Sequence, residues 1–135
     1  MSRFAFVNGA YLPFAEAGVH VEDRGFQFAD SIYEVGAVSD GEPRDMDGHL
    51  KRLERSLREL GQEMPMERAA LIGHIRRMIA LNRIRNGIVY IQVTRGVALR
   101  DHPFPIPAPR PTVVMTARRI DAAKAAAVAA KGVAV

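Results

Sequence analysis

The run from residue 31 to residue 38, SIYEVGAV, limits the fold of this chain more than any other segment. Its β-branched and aromatic residues predict a strand. The alternation of strand side chains places Tyr33 and Val35 on one face and Glu34 on the other. A phenol and a carboxylate inside an apolar strand need partners, because an unpaired buried polar group costs about 1–3 kcal/mol. They are therefore either structural groups tied to backbone or arginine, or part of a functional site.

The segments around this strand predict an antiparallel meander. Residues 3–7 have a strand pattern, and the Asn-Gly pair at 8–9 is a strong hairpin signal that returns the chain through residues 10–12. After the central strand, the turn residues SDGE at 39–42 lead into a short return strand at 43–44.

Two helices follow the meander. Asp47 is the expected N-cap of the first helix and Gly61 its end, whereas the second helix follows Pro65. His49 and Arg52 share one face of the first helix. The residues predicted to be buried are Leu50, Leu53, Leu57 and Leu60 in the first helix, and Leu71, Ile72, Ile75, Met78 and Ile79 in the second.

The last third of the domain predicts two strands joined by a long loop. Residues 88–94, IVYIQVT, are apolar at nearly every position, which predicts a central strand covered on both sides. Residues 95–111 form an extended, stiff loop, because the five prolines from 103 to 111 remove backbone donors and fix φ. Residues 112–117 return as a strand. The whole pattern predicts the α+β class, an antiparallel sheet with two helices packed on one face.

Composition excludes several classes of protein. With 135 residues, 48% hydrophobic and 25% charged, the chain predicts one globular domain. It has no cysteine, which rules out thiolate metal sites and favours the cytoplasm, and we expect no bound metal. No apolar run of about 20 residues could span a membrane. The net charge of +4 is dispersed among acidic residues, so we expect no nucleic-acid partner.

The carboxyl-terminal residues differ from the rest. Residues 122–130, AAKAAAVAA, have high helix propensity without separate polar and apolar faces, so they form either a helix with nothing to bury or an ordered linker. We expect an amino-terminal α+β domain at residues 1–117 and an interdomain linker at 118–131. Residues 132–135 have the pattern of a starting strand, the beginning of a second domain that this chain does not contain.

Three motifs together resemble one enzyme family. They are EDRGFQFADSIYEV at 22–35, DGHLKRLERSLREL at 47–60 and VYIQVTRGVALRDH at 89–102. In this order they are similar to the amino-terminal domain of fold-type IV pyridoxal-phosphate enzymes (class IV aminotransferases), most of all the D-amino-acid (D-alanine) aminotransferase branch. The first two motifs are shared with branched-chain aminotransferases and aminodeoxychorismate lyases. The Arg-Asp-His of the third is more specific to the D-amino-acid branch.

The resemblance implies contacts to pyridoxal 5'-phosphate and to a substrate carboxylate. Arg52 resembles the arginine that holds the cofactor phosphate, a task suited to a guanidinium with several fixed donors. Tyr33, Arg100 and His102 resemble the groups that bind the α-carboxylate of a D-amino acid. In the family, the loop that carries Arg100 and His102 reaches the neighbouring subunit of a homodimer.

The resemblance leaves other groups in supporting roles or absent. Glu34 and Arg95 are expected either to support the site or to be structural. The lysine that forms the Schiff base with the cofactor is expected beyond Val135, because Lys124 and Lys131 lie in the predicted linker and do not match its motif. The resemblance therefore implies that the intact enzyme is a transaminase acting on a D-amino acid and a 2-oxo acid, and that this chain alone is inactive.

Two other interpretations remain open. The same fold serves aminodeoxychorismate lyases and branched-chain aminotransferases, for which the Arg-Asp-His loop is poor support. A non-enzymatic basic domain that binds nucleic acid or pairs with itself would be a different class, and the dispersed charge argues against it.

Overall fold

A computed structural model describes residues 2–133 of the chain. This range forms one antiparallel sheet with the strand order β2-β1-β6-β5-β3-β4. The strands are β1 (Phe4–Val7), β2 (Ala10–Pro13), β3 (Ser31–Ser39), β4 (Glu42–Pro43), β5 (Gly87–Thr94) and β6 (Thr112–Arg119). The helices are α1 (Arg24–Phe28), α2 (Met46–Glu59), α3 (Arg68–Leu81) and α4 (Ala122–Lys131), with a 3-10 turn at Phe14–Glu16.

The architecture is the predicted α+β arrangement. The Asn-Gly hairpin joins β1 to β2 with φ of 49° at Asn8 and 95° at Gly9, the left-handed values that a two-residue turn requires. β3 pairs with β5 from Ser31 to Val38. α2 packs against β3, and α3 packs against the sheet beside it. The antiparallel sheet and the order of helices are therefore confirmed. The predicted meander is wrong between its two hairpins, because β1, β6 and β5 lie between β2 and β3 in the sheet.

The core lies between the helices and one face of the sheet. The leucine stripe of α2 is fully buried at Leu50, Leu53 and Leu57, whereas Leu60 is half-buried at the C-cap. The other large, fully buried apolar side chains are Leu71, Ile75 and Met78 of α3 and Phe6, Val89, Ile91, Val93 and Met115 of the sheet. The buried side chains that recur every three or four residues on the helices thus pack against those that alternate along the strands.

The opposite face of the sheet is uncovered within residues 2–133. Buried residues of β5 alternate with half-buried Ile88, Tyr90 and Gln92, and Tyr33 and Val35 are exposed beside them on β3. The prediction that residues 88–94 are covered on both sides is wrong for this part of the chain. An apolar run is compatible with a strand that is buried on both faces. It is equally compatible with a strand that is buried on one face and whose side chains on the other face contact one another at the surface. Here the Tyr90 hydroxyl donates to Gln92 at 2.5 Å.

Helix ends differ in detail from the predictions. Asp45, not Asp47, is the N-cap of α2, and it has a left-handed φ of 50° without a side-chain capping bond. Gly61, with φ of 64°, follows the C-cap of α2 as predicted. The short helix α1 was not predicted. Asp23 caps it by accepting a bond from the Gly25 amide at 2.8 Å.

The long loop between β5 and β6 is irregular, as its prolines predict, and its two ends lie in contact. Gly96 has φ of 101°, and a Cβ at this position would collide with the backbone carbonyl of Arg110. An isolated bridge joins Val97 to Asp23. The base of the loop is therefore closed, and its middle, including Arg100 and His102, is exposed.

The carboxyl-terminal segment is helical. α4 begins after Asp121, whose side chain caps it, and none of its residues is buried, so a helix with nothing to bury is the alternative found in residues 2–133. β6 runs to Arg119, beyond the expected end at residue 117. The division into domain, linker and second domain stays a prediction, and residues 134 and 135 lie outside the described range. None of the helices in this range is long and apolar enough to cross a membrane.

Candidate functional site

A groove runs along the open edge of β3. One edge of this strand pairs with β5. On the other edge Val38 and Ser39 pair with β4, and the preceding residues have no neighbouring strand within residues 2–133. A cavity of about 420 Å³ lies at this open edge. Its lining residues are Ser31, Ile32, Tyr33, Glu34 and Val35 of β3, and Arg52 and Ser56 of α2.

A buried carboxylate joins the strand to the helix in this groove. Glu34 is 3% exposed and accepts two bonds from Arg52, from Nε to Oε1 and from Nη2 to Oε2, both at 2.6 Å. It also contacts Nδ1 of His49 at 2.8 Å. The Arg52 bonds hold the pKa of Glu34 below its ordinary value. Because an ionised carboxylate only accepts hydrogen bonds, Nδ1 of His49 carries the hydrogen.

The local pattern explains why these groups meet. Alternation along β3 turns Glu34 toward α2, and residues three apart on a helix share a face, so His49 and Arg52 reach the same carboxylate. The pairing answers the requirement that a buried acid in an apolar strand finds a partner. It confirms that Glu34 is tied to an arginine, one of the two interpretations of the sequence.

Arg52 keeps one side of its guanidinium available. The Nε and Nη2 donors are used by Glu34, whereas Nη1 has no hydrogen-bond partner among residues 2–133. The Arg52 side chain is 58% exposed and lines the groove. A guanidinium fixed on one edge and open on the other can donate to the oxygen of an anion.

Tyr33 lies on the other side of β3. Its side chain is exposed and stacks on Tyr90 of the neighbouring strand, with ring centroids 5.7 Å apart and an interplanar angle of 27°. Tyr33 also lines the groove at the strand edge, so it and Arg52 border the same cavity from opposite faces of the sheet. The alternation of residues 31–38 predicted these faces, and the predicted cofactor and substrate residues of β3 and α2 do come together.

A second arginine–carboxylate network lies under the long loop. Asp30 Oδ2 accepts from Arg24 Nε at 3.0 Å and from Arg95 Nε at 2.6 Å. Arg95 also donates to the carbonyl of Leu60 at 2.9 Å, and its guanidinium lies 3.9 Å from the ring centroid of Phe104. Burial alone would raise the pKa of Asp30, but the bonds from the two arginines outweigh it and hold that pKa below its ordinary value.

Sequence reasoning missed part of this network. No role at the site was predicted for Arg24 or Asp30. Both lie inside the motif at residues 22–35 and are opposite charges on either side of a short apolar segment. That pattern was the available signal. For Arg95, the structural interpretation is the one that these contacts support.

Arg100 and His102 are placed away from the groove. Neither lines it, and both side chains lie against Phe28 of α1. The backbone carbonyl between them, at Asp101, accepts from Arg24 Nη1 at 2.8 Å. A single chain therefore does not bring Arg100 and His102 to Tyr33, and their carboxylate-binding role stays a prediction.

Comparison with known proteins identifies relatives of this chain. The family model described as "Amino-transferase class IV" matches residues 31–134. The D-alanine aminotransferase of Staphylococcus haemolyticus is 39% identical over 116 residues, which are 86% of this chain and 41% of that protein. The D-alanine aminotransferase of Bacillus licheniformis is 37% identical over 97 residues, 72% of this chain and 34% of that protein. The chain thus spans less than half the length of these relatives.

Solved structures have the same fold. The T.th. branched-chain amino acid aminotransferase with pyridoxamine 5'-phosphate superimposes with a TM-score of 0.81 at 22% identity, over 90% of this chain and 41% of that one. The 4-amino-4-deoxychorismate lyase from Pseudomonas aeruginosa has a TM-score of 0.69 at 31% identity, over 85% of this chain and 39% of that one. The likeness to the first concerns the fold alone.

Proposed function

This chain belongs to the class IV aminotransferase family, and on that premise we propose that it is the amino-terminal part of a pyridoxal-phosphate-dependent D-amino-acid aminotransferase. The whole protein would move an amino group between a D-amino acid, such as D-alanine, and a 2-oxo acid. The observation that supports this most is the available guanidinium edge of Arg52 in a groove bordered by Tyr33. The identity to D-alanine aminotransferases points to the same activity.

The groove fits the phosphate of the cofactor. Glu34 fixes Arg52 from one edge, so the remaining Nη1 donor can hold a phosphate oxygen without reorienting the side chain. The Ser56 hydroxyl lines the same cavity and is a second possible donor. When bound, pyridoxal phosphate supplies the electron sink on which removal of the substrate α-proton depends. We propose that the residues of this chain bind and orient the cofactor and the substrate, and that another part of the whole protein supplies the Schiff-base lysine.

The substrate carboxylate would be bound by three groups. Tyr33 offers a hydroxyl at the groove from its own subunit. Arg100 and His102 are offered by a loop that this chain directs away from its own groove, so we propose that they serve the neighbouring subunit of a homodimer. A carboxylate held from both sides fixes the direction of the α-hydrogen, which is how a D-amino acid would be selected.

The absence of cysteine supports a cytoplasmic location.

Substrate profiling tests the activity. The protein that contains this chain is supplied with pyridoxal phosphate and 2-oxoglutarate and assayed with D-alanine, L-leucine and 4-amino-4-deoxychorismate. We expect transfer from D-alanine. Pyruvate release from 4-amino-4-deoxychorismate without transamination of D-alanine would favour the second candidate, a lyase, which the 31% identity to the Pseudomonas aeruginosa enzyme supports. Preference for L-leucine would indicate a branched-chain aminotransferase.

Mixing of subunits tests the homodimer proposal. An Arg100→Ala subunit is combined with a subunit that is inactive at its catalytic lysine. In the mixed dimer the site with an intact lysine receives Arg100 from its partner, so activity should reappear. Mixed dimers without activity would mean that the loop serves its own subunit.

A further inference from the structure

One aromatic ring contacts both exposed groups of the long loop. The centroid of the Phe28 ring lies 5.2 Å from Cζ of Arg100, and 5.9 Å from the His102 ring centroid, with the two rings in a T-shaped arrangement at 61°. Cζ of Arg24 lies 4.6 Å from the same centroid. A cation within about 6 Å of an aromatic centroid is attracted to the ring. Phe28 thus links α1 to the two side chains that we propose for the carboxylate.

The backbone between these side chains is fixed separately. Arg24 Nη1 donates to the carbonyl of Asp101 at 2.8 Å, and Asp30 holds Arg24 through a 3.0 Å bond to its Nε. Arg24 is itself buried. The segment that carries Arg100 and His102 is therefore held at its backbone by a buried arginine and at both side chains by one ring.

We propose that Phe28 is a positioning residue that holds Arg100 and His102 in the arrangement with which they bind the substrate carboxylate. This rests on the proposed function, because it assumes that those two groups bind the carboxylate. An exposed arginine loses rotamer freedom when it binds a ligand, and a side chain that is ordered beforehand loses less. The effect falls on substrate affinity. The phosphate contact at Arg52 is unaffected, because Arg52 does not touch this ring.

Substitutions of Phe28 in the full-length enzyme test the proposal. Phe28→Leu removes the ring, Phe28→Met replaces it with a longer, unbranched apolar side chain without a π face, and Phe28→Tyr keeps the ring. Phe26→Leu is the matched control, since Phe26 lies on the same helix and is 71% exposed. The measurements are KM and kcat for D-alanine and the Kd of propionate, which has the carboxylate of D-alanine without its amino group.

Loss of the ring should weaken carboxylate binding at constant turnover. Phe28→Leu and Phe28→Met should each raise KM and the propionate Kd about fivefold, the range of an exposed cation–π contact, with kcat unchanged. Phe28→Tyr and Phe26→Leu should stay close to the unsubstituted enzyme. If Leu prevents folding, the Met variant decides. A folded variant without the ring that keeps both constants unchanged would overturn the proposal.

A double-mutant cycle separates this role from the proposed function. In an Arg100→Ala/His102→Ala background, Phe28→Leu should raise KM no further, because the groups that it positions are absent. An equal further rise would overturn the positioning role while the carboxylate role stands. If Arg100→Ala/His102→Ala itself leaves KM and the propionate Kd unchanged, the carboxylate role is wrong and the positioning role is overturned with it.

Discussion

Two arginine–carboxylate networks lie close together at the start of β3 and differ in their access to solvent. Around Asp30, Arg24 and Arg95 are 3% and 7% exposed. Around Glu34, which is 3% exposed, the Arg52 side chain is 58% exposed. We call the first the sealed network and the second the open network. The comparison shows that similar ion pairs can close the base of a loop in one place and present a cation to a groove in the other.

The arginines of the two networks also differ in how many of their hydrogen-bond donors are used. In the sealed network, Arg24 and Arg95 each make a further bond to a backbone carbonyl, at Asp101 and Leu60, and the Phe104 ring lies over Arg95. In the open network, Nη1 of Arg52 has no partner among residues 2–133. The sealed network therefore has a structural role, and the open network has capacity left for a ligand.

Unpairing the sealed network should have the largest effect on stability. Asp30→Asn leaves two buried guanidiniums without their carboxylate, and breaking a buried ion pair costs about 3–5 kcal/mol. Urea unfolding followed by circular dichroism measures the loss. Asp40→Asn is the control: its pair with Arg85 is exposed, so the free energy of unfolding should change by less than about 0.5 kcal/mol. Equal losses in the two variants would contradict the sealed character of the first network.

Substitution in the loop above the sealed network should affect binding and leave stability alone. Arg100→Ala or His102→Ala in the full-length enzyme should raise KM for D-alanine about ten- to a hundredfold, through loss of a charged contact to the carboxylate. The change should fall on KM, since ground state and transition state lose the same contact. The cofactor absorbance should not move. A shifted absorbance with an unchanged KM would place these residues at the cofactor.

Acid titration compares the two carboxylates, and the expected change in the free energy of unfolding is smaller than for Asp30→Asn. Glu34 and Asp30 both have pKa values held below the ordinary ones by arginine bonds, which for Asp30 outweigh the opposing effect of burial. A lowered pKa in the folded state gives stability that is present above the unfolded pKa, about 4, and is lost as the pH falls through the folded pKa. Glu34→Gln should flatten the fall of unfolding free energy below about pH 4. An acid slope identical to that of the unsubstituted chain would contradict a lowered pKa of Glu34 in the folded state.

The open network was closer to prediction than the sealed one, for a physical reason. Alternation in residues 31–38 and the helical face of His49 and Arg52 are local regularities, so they predicted the face of Glu34 and the side chains that share one face of α2, although not that the two sets meet. Asp30 bonds to Arg95, which is 65 positions away in the sequence, as well as to the nearby Arg24. No local periodicity predicts a contact over such a separation.

The other predictions also succeeded where they depended on neighbouring residues and failed where they depended on tertiary packing. The apolar run at 88–94 predicted a strand correctly but not which of its faces is covered, because that depends on where the helices pack. The Asn-Gly hairpin was predictable because its backbone requirement lies in two adjacent residues. The position of Arg100 and His102 against Phe28 depends on the closed loop base and has no sequence signal of its own.

The most direct test of the central claim is cofactor titration, by absorbance, of the full-length protein and its Arg52→Ala variant. Because this variant also removes a partner of buried Glu34, Arg52→Ala/Glu34→Gln is measured beside it as a control for the unpaired charge. We predict that both variants bind pyridoxal phosphate about ten- to a hundredfold more weakly, from loss of a charge-assisted bond, and that the double variant unfolds at nearly the original urea midpoint. Unchanged cofactor affinity with a lowered unfolding midpoint in Arg52→Ala would contradict the account, because Arg52 would then serve only to neutralise Glu34.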